Sequence, residues 1–210
     1  MRYLLLSSFL VLLLGCSSPY KHLQVTKADV VDLQKFKPLF TVALYKANVN
    51  VAGNYLSGLL LIKKMPDSST RLVFSNEIGF KFFDFEFSNT GKFKVFSIIK
   101  KINKKAVIKT LQKDFELIMM NTINSNNVIF REDSVGLIYY TFPQTSGYYH
   151  YITNIASNKL VRMERSSKRK KVLEAIMTNY RNGIPDTIGI THKNFNFTIG
   201  LKQLKNDVIR

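Results

Sequence analysis

The sequence predicts a mainly β fold of the α+β class, with about ten or eleven antiparallel strands, one internal helix and a short N-terminal helix. Two observations carry this prediction. Apolar and polar residues alternate along many short segments bounded by turn residues, which is typical of antiparallel strands with one covered face. Residues 104–120 instead carry apolar side chains at helical spacing.

The stretch Gly58–Phe87 shows the strand pattern most clearly. Leu72 and Phe74 share one face of a predicted strand that follows a Pro-Asp-Ser turn. Phe83 and Phe85 share one face of the next predicted strand, because side chains two residues apart point to the same side of a sheet. The covered face is therefore predicted to be unusually aromatic.

Further strands are predicted at residues 39–51, 54–64, 93–99, 128–131, 136–142, 148–153, 159–165, 187–191 and 194–201. In the last of these, Phe195 and Phe197 alternate with asparagine and threonine. Residues 171–180 are ambiguous, since Val172, Ile176 and Tyr180 also suit a helix. The neighbouring strands favour a strand there as well.

Two helices are predicted from capping residues and apolar spacing. Thr26–Asp29 resembles a capping box before a short helix that ends ahead of Pro38. Asn103 is predicted to cap the internal helix, whose apolar face includes Leu111 and Phe115. This helix either covers a core or forms a lid across the mouth of a curved sheet.

The N-terminus predicts a secreted and lipid-anchored protein. Residues 1–15 combine a positive start with an apolar run too short to span a bilayer comfortably. The segment ends at Cys16, the one cysteine of the chain, so no intrachain disulfide is possible. Leu13–Cys16 resembles the bacterial lipobox, in which this thiol is acylated; the alternative is an ordinary signal peptide with an incidental cysteine.

The expected organisation is a signal peptide over residues 1–15, a tether over 16–25 and a single domain over 26–210. By resemblance to proteobacterial sorting rules, an aspartate after the acylated cysteine would favour the inner membrane. Ser17 stands there instead, so the expected location is the outer membrane, on its periplasmic face.

The charge balance indicates an anionic neighbour. The chain carries 31 Lys and Arg against 14 Asp and Glu, a formal net charge of +17. The secretory N-terminus argues against nucleic acid, which leaves an acidic protein or anionic lipid head groups. The three histidines are far apart in sequence and no nucleophile motif is present, so no enzyme activity, metal site or cofactor is expected.

The lipobox, the run of antiparallel strands and the single internal helix together resemble the LolA/LolB-like lipoprotein-sorting family, and its membrane-anchored receptor more than its soluble carrier. The nearest local match is Arg71–Gly79, which is similar to the receptor's strand–turn–strand, with Gly58 opening the preceding strand. The run Asn76–Glu86 also resembles uncharacterised lipoproteins of Bacteroidota-type bacteria.

The resemblance implies an unclosed antiparallel half-barrel with a lid helix and an apolar concave cavity for acyl chains. Its implied function is binding of lipid acyl chains or lipoproteins, in lipoprotein sorting to the outer membrane, with an acidic periplasmic carrier as a further partner and a monomeric state. The alternative is a structural or accessory envelope lipoprotein that docks an acidic partner and has no ligand cavity. The expected cavity lining is Leu72, Phe74, Phe83, Phe85, Leu111, Phe115, Phe195 and Phe197.

Overall fold

A computed structural model describes residues 18–204, apart from residues 52 and 125 and the side chain of residue 124. The predicted signal peptide and Cys16 lie outside the described residues. The described chain forms one antiparallel sheet of thirteen strands in the order β1-β7-β8-β9-β10-β11-β12-β13-β2-β3-β4-β5-β6. The strands are β1 (Gln24–Val25), β2 (Val42–Val51), β3 (Asn54–Lys64), β4 (Thr70–Ser75), β5 (Lys81–Phe87), β6 (Phe93–Ile98), β7 (Ile129–Glu132), β8 (Leu137–Gln144), β9 (Gly147–Asn154), β10 (Lys159–Ser166), β11 (Lys171–Arg181), β12 (Ile184–His192) and β13 (Phe197–Gln203).

The sheet is unclosed, because β1 and β6 form its two edges. The prediction of a mainly β, unclosed antiparallel architecture with two helices is confirmed. Those helices are α1 (Val31–Gln34) and α2 (Lys105–Ile118). Helix α2 packs on one face of the sheet, called here the inner face, and the main core cluster lies between them.

Pairing of β13 with β2 joins the two halves of the sheet. Their register runs from Phe197 opposite Val51 to Gln203 opposite Tyr45. The Tyr45 hydroxyl donates a 2.8 Å hydrogen bond to the carbonyl oxygen of Pro185, which ties β2 to the start of β12. Strands β2 to β6 form one run of neighbours and strands β7 to β13 form another. The β13–β2 pair joins these two runs into a single sheet around the core.

Strand β11 resolves the ambiguity at residues 171–180 in favour of a strand. Leu173, Ala175 and Met177 are buried on the inner face and alternate with more exposed residues. The strand total exceeds the expected ten or eleven partly because β1, two residues long, pairs with β7. A two-residue strand has no periodicity for a sequence pattern to detect.

Both predicted helix caps are wrong. The backbone N–H of Val31 donates to Asp29 Oδ1 at 2.9 Å, while the Thr26 hydroxyl donates to Glu132 at 3.3 Å, across the sheet. Helix α2 starts after Lys104 without a capping side chain, so Asn103 does not cap it. For Thr26, a contact with a distant strand has replaced the local capping interaction that the sequence suggests.

The described part of the predicted tether packs against the sheet. On the outer face, opposite α2, the Tyr20 hydroxyl donates to Glu164 Oε2 at 2.7 Å and its ring stacks on His150 at 4.3 Å. Leu23 packs against Tyr139 and Ile152 in a second, small cluster. Residues 20–25 of the predicted tether over 16–25 thus lie against the outer face of the sheet.

Candidate functional site

The inner face of β4 and β5 forms a continuous aromatic wall. The register places Leu72 opposite Phe85 and Phe74 opposite Phe83, so these four side chains make one block. All four are at most 1% exposed. The rings of Phe83 and Phe85 stack with centroids 4.4 Å apart, and those of Phe74 and Phe83 lie 5.5 Å apart. The predicted aromatic face exists and is fully covered.

Helix α2 covers this wall. Leu111 and Phe115 lie one turn apart on its buried face, and the Phe115 ring meets Phe83 edge to face at 6.0 Å. Phe197 of β13 belongs to the same core cluster. Seven of the eight predicted lining residues therefore belong to one buried core cluster, in which Phe83 contacts Phe74, Phe85 and Phe115.

Phe195 is the exception. It precedes β13, in the connection from β12, and is 50% exposed. Its ring contacts His192 at 4.7 Å and does not belong to the buried cluster. The alternation at residues 194–201 predicts a strand that begins three residues too early, and so places Phe195 on the buried face incorrectly.

A buried polar cluster fastens α2 to the sheet within this apolar interface. Asp114 projects from the buried side of α2 and is 0% exposed. Its Oδ2 lies 2.8 Å from His192 Nε2 of β12, and its Oδ1 lies 3.2 Å from Arg165 Nη1 of β10. The His192 ring also stacks on Phe197, with centroids 4.7 Å apart and nearly parallel planes. We call Asp114, Arg165 and His192 the polar clasp.

Two tyrosines of β9 add polar contacts to the same helix. The Tyr149 hydroxyl lies 3.2 Å from Glu116 Oε2, and the Tyr151 hydroxyl donates to the backbone carbonyl of Leu117 at 3.3 Å. Burial raises the pKa of both phenols above its ordinary value, and the Glu116 carboxylate raises them further. Both tyrosines therefore stay neutral hydrogen-bond donors to α2.

Sequence reasoning missed the polar clasp. Its three members lie on three elements that are far apart in the chain, and no fixed spacing relates them. The one available signal was Asp114 itself, a carboxylate between apolar Leu111 and Phe115 on the predicted buried stripe of the helix. A charged residue in such a position is buried only with a partner.

Neither buried histidine completes a catalytic triad. His150 Nε2 lies 2.8 Å from Ser166 Oγ, but its Nδ1 faces the Thr141 hydroxyl at 2.9 Å rather than a carboxylate. Burial lowers the pKa of His150 to about 4, so it is a weak base, and Tyr20 stacks over it. His192 has the carboxylate of Asp114, but its remaining ring nitrogen has no hydrogen-bond partner among the described residues.

Two open pockets lie at opposite ends of α2. One, of about 510 Å³, adjoins Met119 and Asn121 after the helix. The other, of about 710 Å³, lies beside the first half of the helix, next to Lys109 and Lys113. None of the eight predicted lining residues borders either pocket. The space at the aromatic wall itself is occupied by side chains of α2.

Within residues 18–204, apart from the undescribed positions, no group of three or more His, Cys, Asp or Glu side chains is arranged to hold a metal ion. In the same described portion, no helix has both the length and the apolar character needed to cross a membrane.

No protein-family model matches the chain, and no curated protein matches it. Two solved structures are similar to it over most of their lengths. A DUF1329 family protein from Desulfovibrio piger has a TM-score of 0.45 and 11% identity, with 86% of this chain and 91% of that chain covered. A putative outer membrane lipoprotein-sorting protein domain from Vibrio parahaemolyticus has a TM-score of 0.47 and 9% identity, with 84% and 90% covered.

Proposed function

We propose that this protein is an envelope lipoprotein, anchored through acylated Cys16 at the periplasmic face of the outer membrane, that binds lipid acyl chains or lipoproteins between its sheet and α2. One observation carries this proposal: a helix that covers a wholly apolar wall is fastened by a buried carboxylate. In a permanent core, replacing a buried ion pair with well-packed apolar residues often leaves the stability unchanged or raises it. Polar contacts suit a helix that detaches and rebinds, because the polar groups are hydrated again when the helix leaves the sheet.

Binding requires α2 to move. When the side chains of Leu111 and Phe115 withdraw, the wall built on Phe83 and Phe85 becomes available to an acyl chain. Each methylene transferred from water contributes ~0.8 kcal/mol, so ten methylenes contribute about 8 kcal/mol. This gain has to offset both the separation of the clasp and the apolar contacts that Leu111 and Phe115 lose when they leave the wall.

The test is hydrogen exchange with and without palmitate, on the full chain purified in nonionic detergent. Bound palmitate is expected to speed amide exchange across residues 105–118, while amides of β2 and β3 keep their protection. Failure to retain palmitate in native mass spectrometry would contradict the proposal. So would retention with unchanged exchange in α2.

A matched pair of variants locates the binding surface. Phe83→Leu/Phe85→Leu trims the covered wall, whereas Phe80→Leu/Phe96→Leu trims two rings that are 57% and 43% exposed. The first pair is expected to weaken palmitate retention at least tenfold, and the second to leave it within about twofold. Equal losses of palmitate retention in the two double variants would mean that the acyl chain binds elsewhere on the protein.

A second candidate function rests on a specific observation, the filled interior. The rings of the wall contact one another at 4.4 to 5.5 Å, as in an ordinary core. This favours the structural or accessory envelope lipoprotein that docks an acidic partner through its basic surface. Absence of palmitate binding, together with a membrane partner that is released as salt is raised, would support this candidate instead.

A further inference from the structure

The pocket beside the first half of α2 carries a cluster of cations. It lies between α2, the β8–β9 turn and the β10–β11 connection. Lys109 and Lys113 border it from the helix, Arg165 borders it from β10, and Lys168 borders it from the β10–β11 connection. Among the residues that the structure describes, no carboxylate borders the pocket. We call these four residues the basic pocket.

The four cations form a gradient of depth. The side chain of Arg165 is 10% exposed, Lys113 is half-buried, and Lys109 and Lys168 are exposed at the rim. Lys109 and Lys113 stand four residues apart on α2, where like charges destabilise a helix. A bound anion would relieve this repulsion. It would contact Lys109 and Lys168 at the rim before it reaches the more buried Arg165.

The charges of Arg165 and Lys113 are only partly compensated in the described structure, by Asp114 at 3.2 Å from Arg165 and by the nearby Glu116 for Lys113. Lys113 donates its 2.7 Å hydrogen bond to the neutral hydroxyl of Ser146. Burial, and then the nearby charges of Arg165 and Lys109, lower the pKa of Lys113. Arg165 Nη1 faces Asp114 Oδ1 but has no hydrogen-bond partner among the described residues, and Asp114 is shared with His192. Arg165 also borders the pocket, so a bound anion would share this guanidinium with Asp114.

The rest of the lining is suited to an amphiphile. Ala106, Pro143 and Val172 border the same pocket, so an apolar surface lies next to the cations. Walls on three sides favour a compact anionic group over a flat protein surface. Arginine and clustered lysines together suit phosphate, whose several oxygens accept from more than one donor.

We propose that the basic pocket binds the phosphate group of an anionic lipid headgroup, one whose phosphate charge is not neutralised by a cationic substituent such as choline. This inference rests on the proposed function and names the chemical class of its ligand. The phosphate would contact Arg165, Lys113 and the two rim lysines, and the glycerol end of its acyl chains would lie against the adjacent apolar lining. A phospholipid held this way has its tails next to α2, the element that must move to admit them.

The experiment compares three probes on the full chain in nonionic detergent: dihexanoyl phosphatidic acid, dihexanoyl phosphatidylcholine and inorganic phosphate. The two lipids carry the same tails, so the difference in their binding by isothermal titration calorimetry reports the headgroup. The phosphatidic acid is expected to bind at least tenfold more tightly than the phosphatidylcholine. It is also expected to bind at least tenfold more tightly than phosphate, which should compete with it weakly.

The decisive variant is Lys109→Gln/Lys113→Gln/Lys168→Gln, which leaves the Arg165–Asp114 pair in place. It is expected to lose at least tenfold in affinity for the phosphatidic acid and to bind the phosphatidylcholine as before. The matched control, Lys46→Gln/Lys63→Gln/Lys92→Gln, removes the same charge from three exposed lysines that do not border the pocket. It is expected to keep both affinities within twofold.

Several outcomes would overturn the inference. Equal binding of both lipids would remove the headgroup preference, and an equal loss in both triple variants would reduce it to overall charge. Phosphate binding as tightly as the phosphatidic acid would make free phosphate the ligand. Palmitate retention with faster exchange in α2, combined with any of these results, would leave the proposed function standing while the basic pocket fails.

Discussion

At the scale of single residues, Gly58 marks a place where two strands approach too closely for a side chain. A Cβ atom at this position would lie 2.0 Å from the carbonyl oxygen of Ser75 and 2.9 Å from Cα of Asn76. Both are backbone atoms and cannot rotate away. Gly58→Ala is therefore expected to lower the free energy of unfolding by about 3 kcal/mol, measured by chemical denaturation.

Gly200→Ala is the control for this substitution, because no heavy atom lies within 4 Å of a Cβ placed there. Its free energy of unfolding should change by less than about 1 kcal/mol. A similar loss at both glycines would mean that strand propensity, and not the close approach at Gly58, sets the cost.

Asp114 is the charged residue on which the helix–sheet interface depends. Asp114→Ala leaves Arg165 buried without its ion partner, and such a change typically costs ~3–5 kcal/mol. We expect a loss of about 3 kcal/mol in the free energy of unfolding. Asp32→Ala removes an aspartate whose 3.9 Å pair with Lys35 is about half exposed, and should cost less than ~1 kcal/mol. Equal costs would show that the clasp contributes nothing beyond a surface ion pair.

His150 is expected to make stability fall in mild acid. Burial lowers the pKa of His150 to about 4; the charge of Glu164 opposes this shift and the charge of Arg131 adds to it. In the unfolded protein, the pKa of a histidine is ~6.5. The unfolded state therefore binds more protons below about pH 6.5. The stabilisation is complete above that pH and is lost from about 6.5 down to about 4, by ~1.4 kcal/mol per pH unit.

Denaturation of the full chain at pH 7, 6 and 5 measures this slope. His150→Gln keeps a polar side chain but cannot take up the proton, so its slope between pH 6 and pH 5 should be much smaller. His22→Gln removes an exposed histidine and should retain the slope. A wild-type slope that survives in His150→Gln would assign the proton to another group.

At the scale of elements, Tyr20 supplies a polar contact between the N-terminal segment and the outer face, beside the packing of Leu23 and the β1–β7 pairing. Tyr20 donates to Glu164, and burial and this hydrogen bond raise its phenol pKa far above the ordinary range. Tyr20→Phe is expected to cost about 1.5–3 kcal/mol, since the acceptor is charged. Hydrogen exchange over residues 18–25 measures it, because this segment can open without global unfolding.

Tyr55→Phe is the matched control for Tyr20→Phe. The Tyr55 side chain is 68% exposed and donates to Asn48 Oδ1 at 2.9 Å. Exchange over residues 18–25 should be unchanged in this variant. If Tyr20→Phe also leaves it unchanged, the packing of Leu23 and the β1–β7 pairing hold the segment without the hydroxyl.

The elements themselves were largely predictable, because alternation along a strand is set by burial on one face. Strands β4 and β5 follow this rule at every apolar inner-face position, and their boundaries lie within a residue or two of the expected ones. β11 was harder, since its apolar residues also recur at helical spacing. Its identity depends on pairing with β10 and β12, which a local pattern does not contain.

At the scale of the whole molecule, the apolar half of the candidate site was predictable and the polar half was not. Leu72, Phe74, Phe83 and Phe85 converge because they share strand faces, which a two-residue period reveals. The polar clasp and the basic pocket depend on how β10 and β12 lie beneath α2. That arrangement follows from the order of thirteen strands, and no local signal encodes it.

The excess of positive charge leads to a prediction for the entire chain. A formal net charge of +17 repels itself in the compact state, and salt screens this repulsion. Between about 0.01 M and about 0.1 M salt, the Debye length falls from about 30 Å to about 10 Å. The free energy of unfolding of the full chain should therefore rise over this range, as measured by denaturant titration at each salt concentration.

The Lys46→Gln/Lys63→Gln/Lys92→Gln variant tests the cause, because it lowers the net charge from +17 by three, to +14. It should be more stable than the natural sequence at low salt and should gain less from added salt. A free energy of unfolding that falls as salt is added would mean that attractive pairs such as Arg71–Asp84, at 2.8 Å, outweigh the general repulsion. The basic surface would then be a compensated one, with less capacity to attract an anionic membrane or partner.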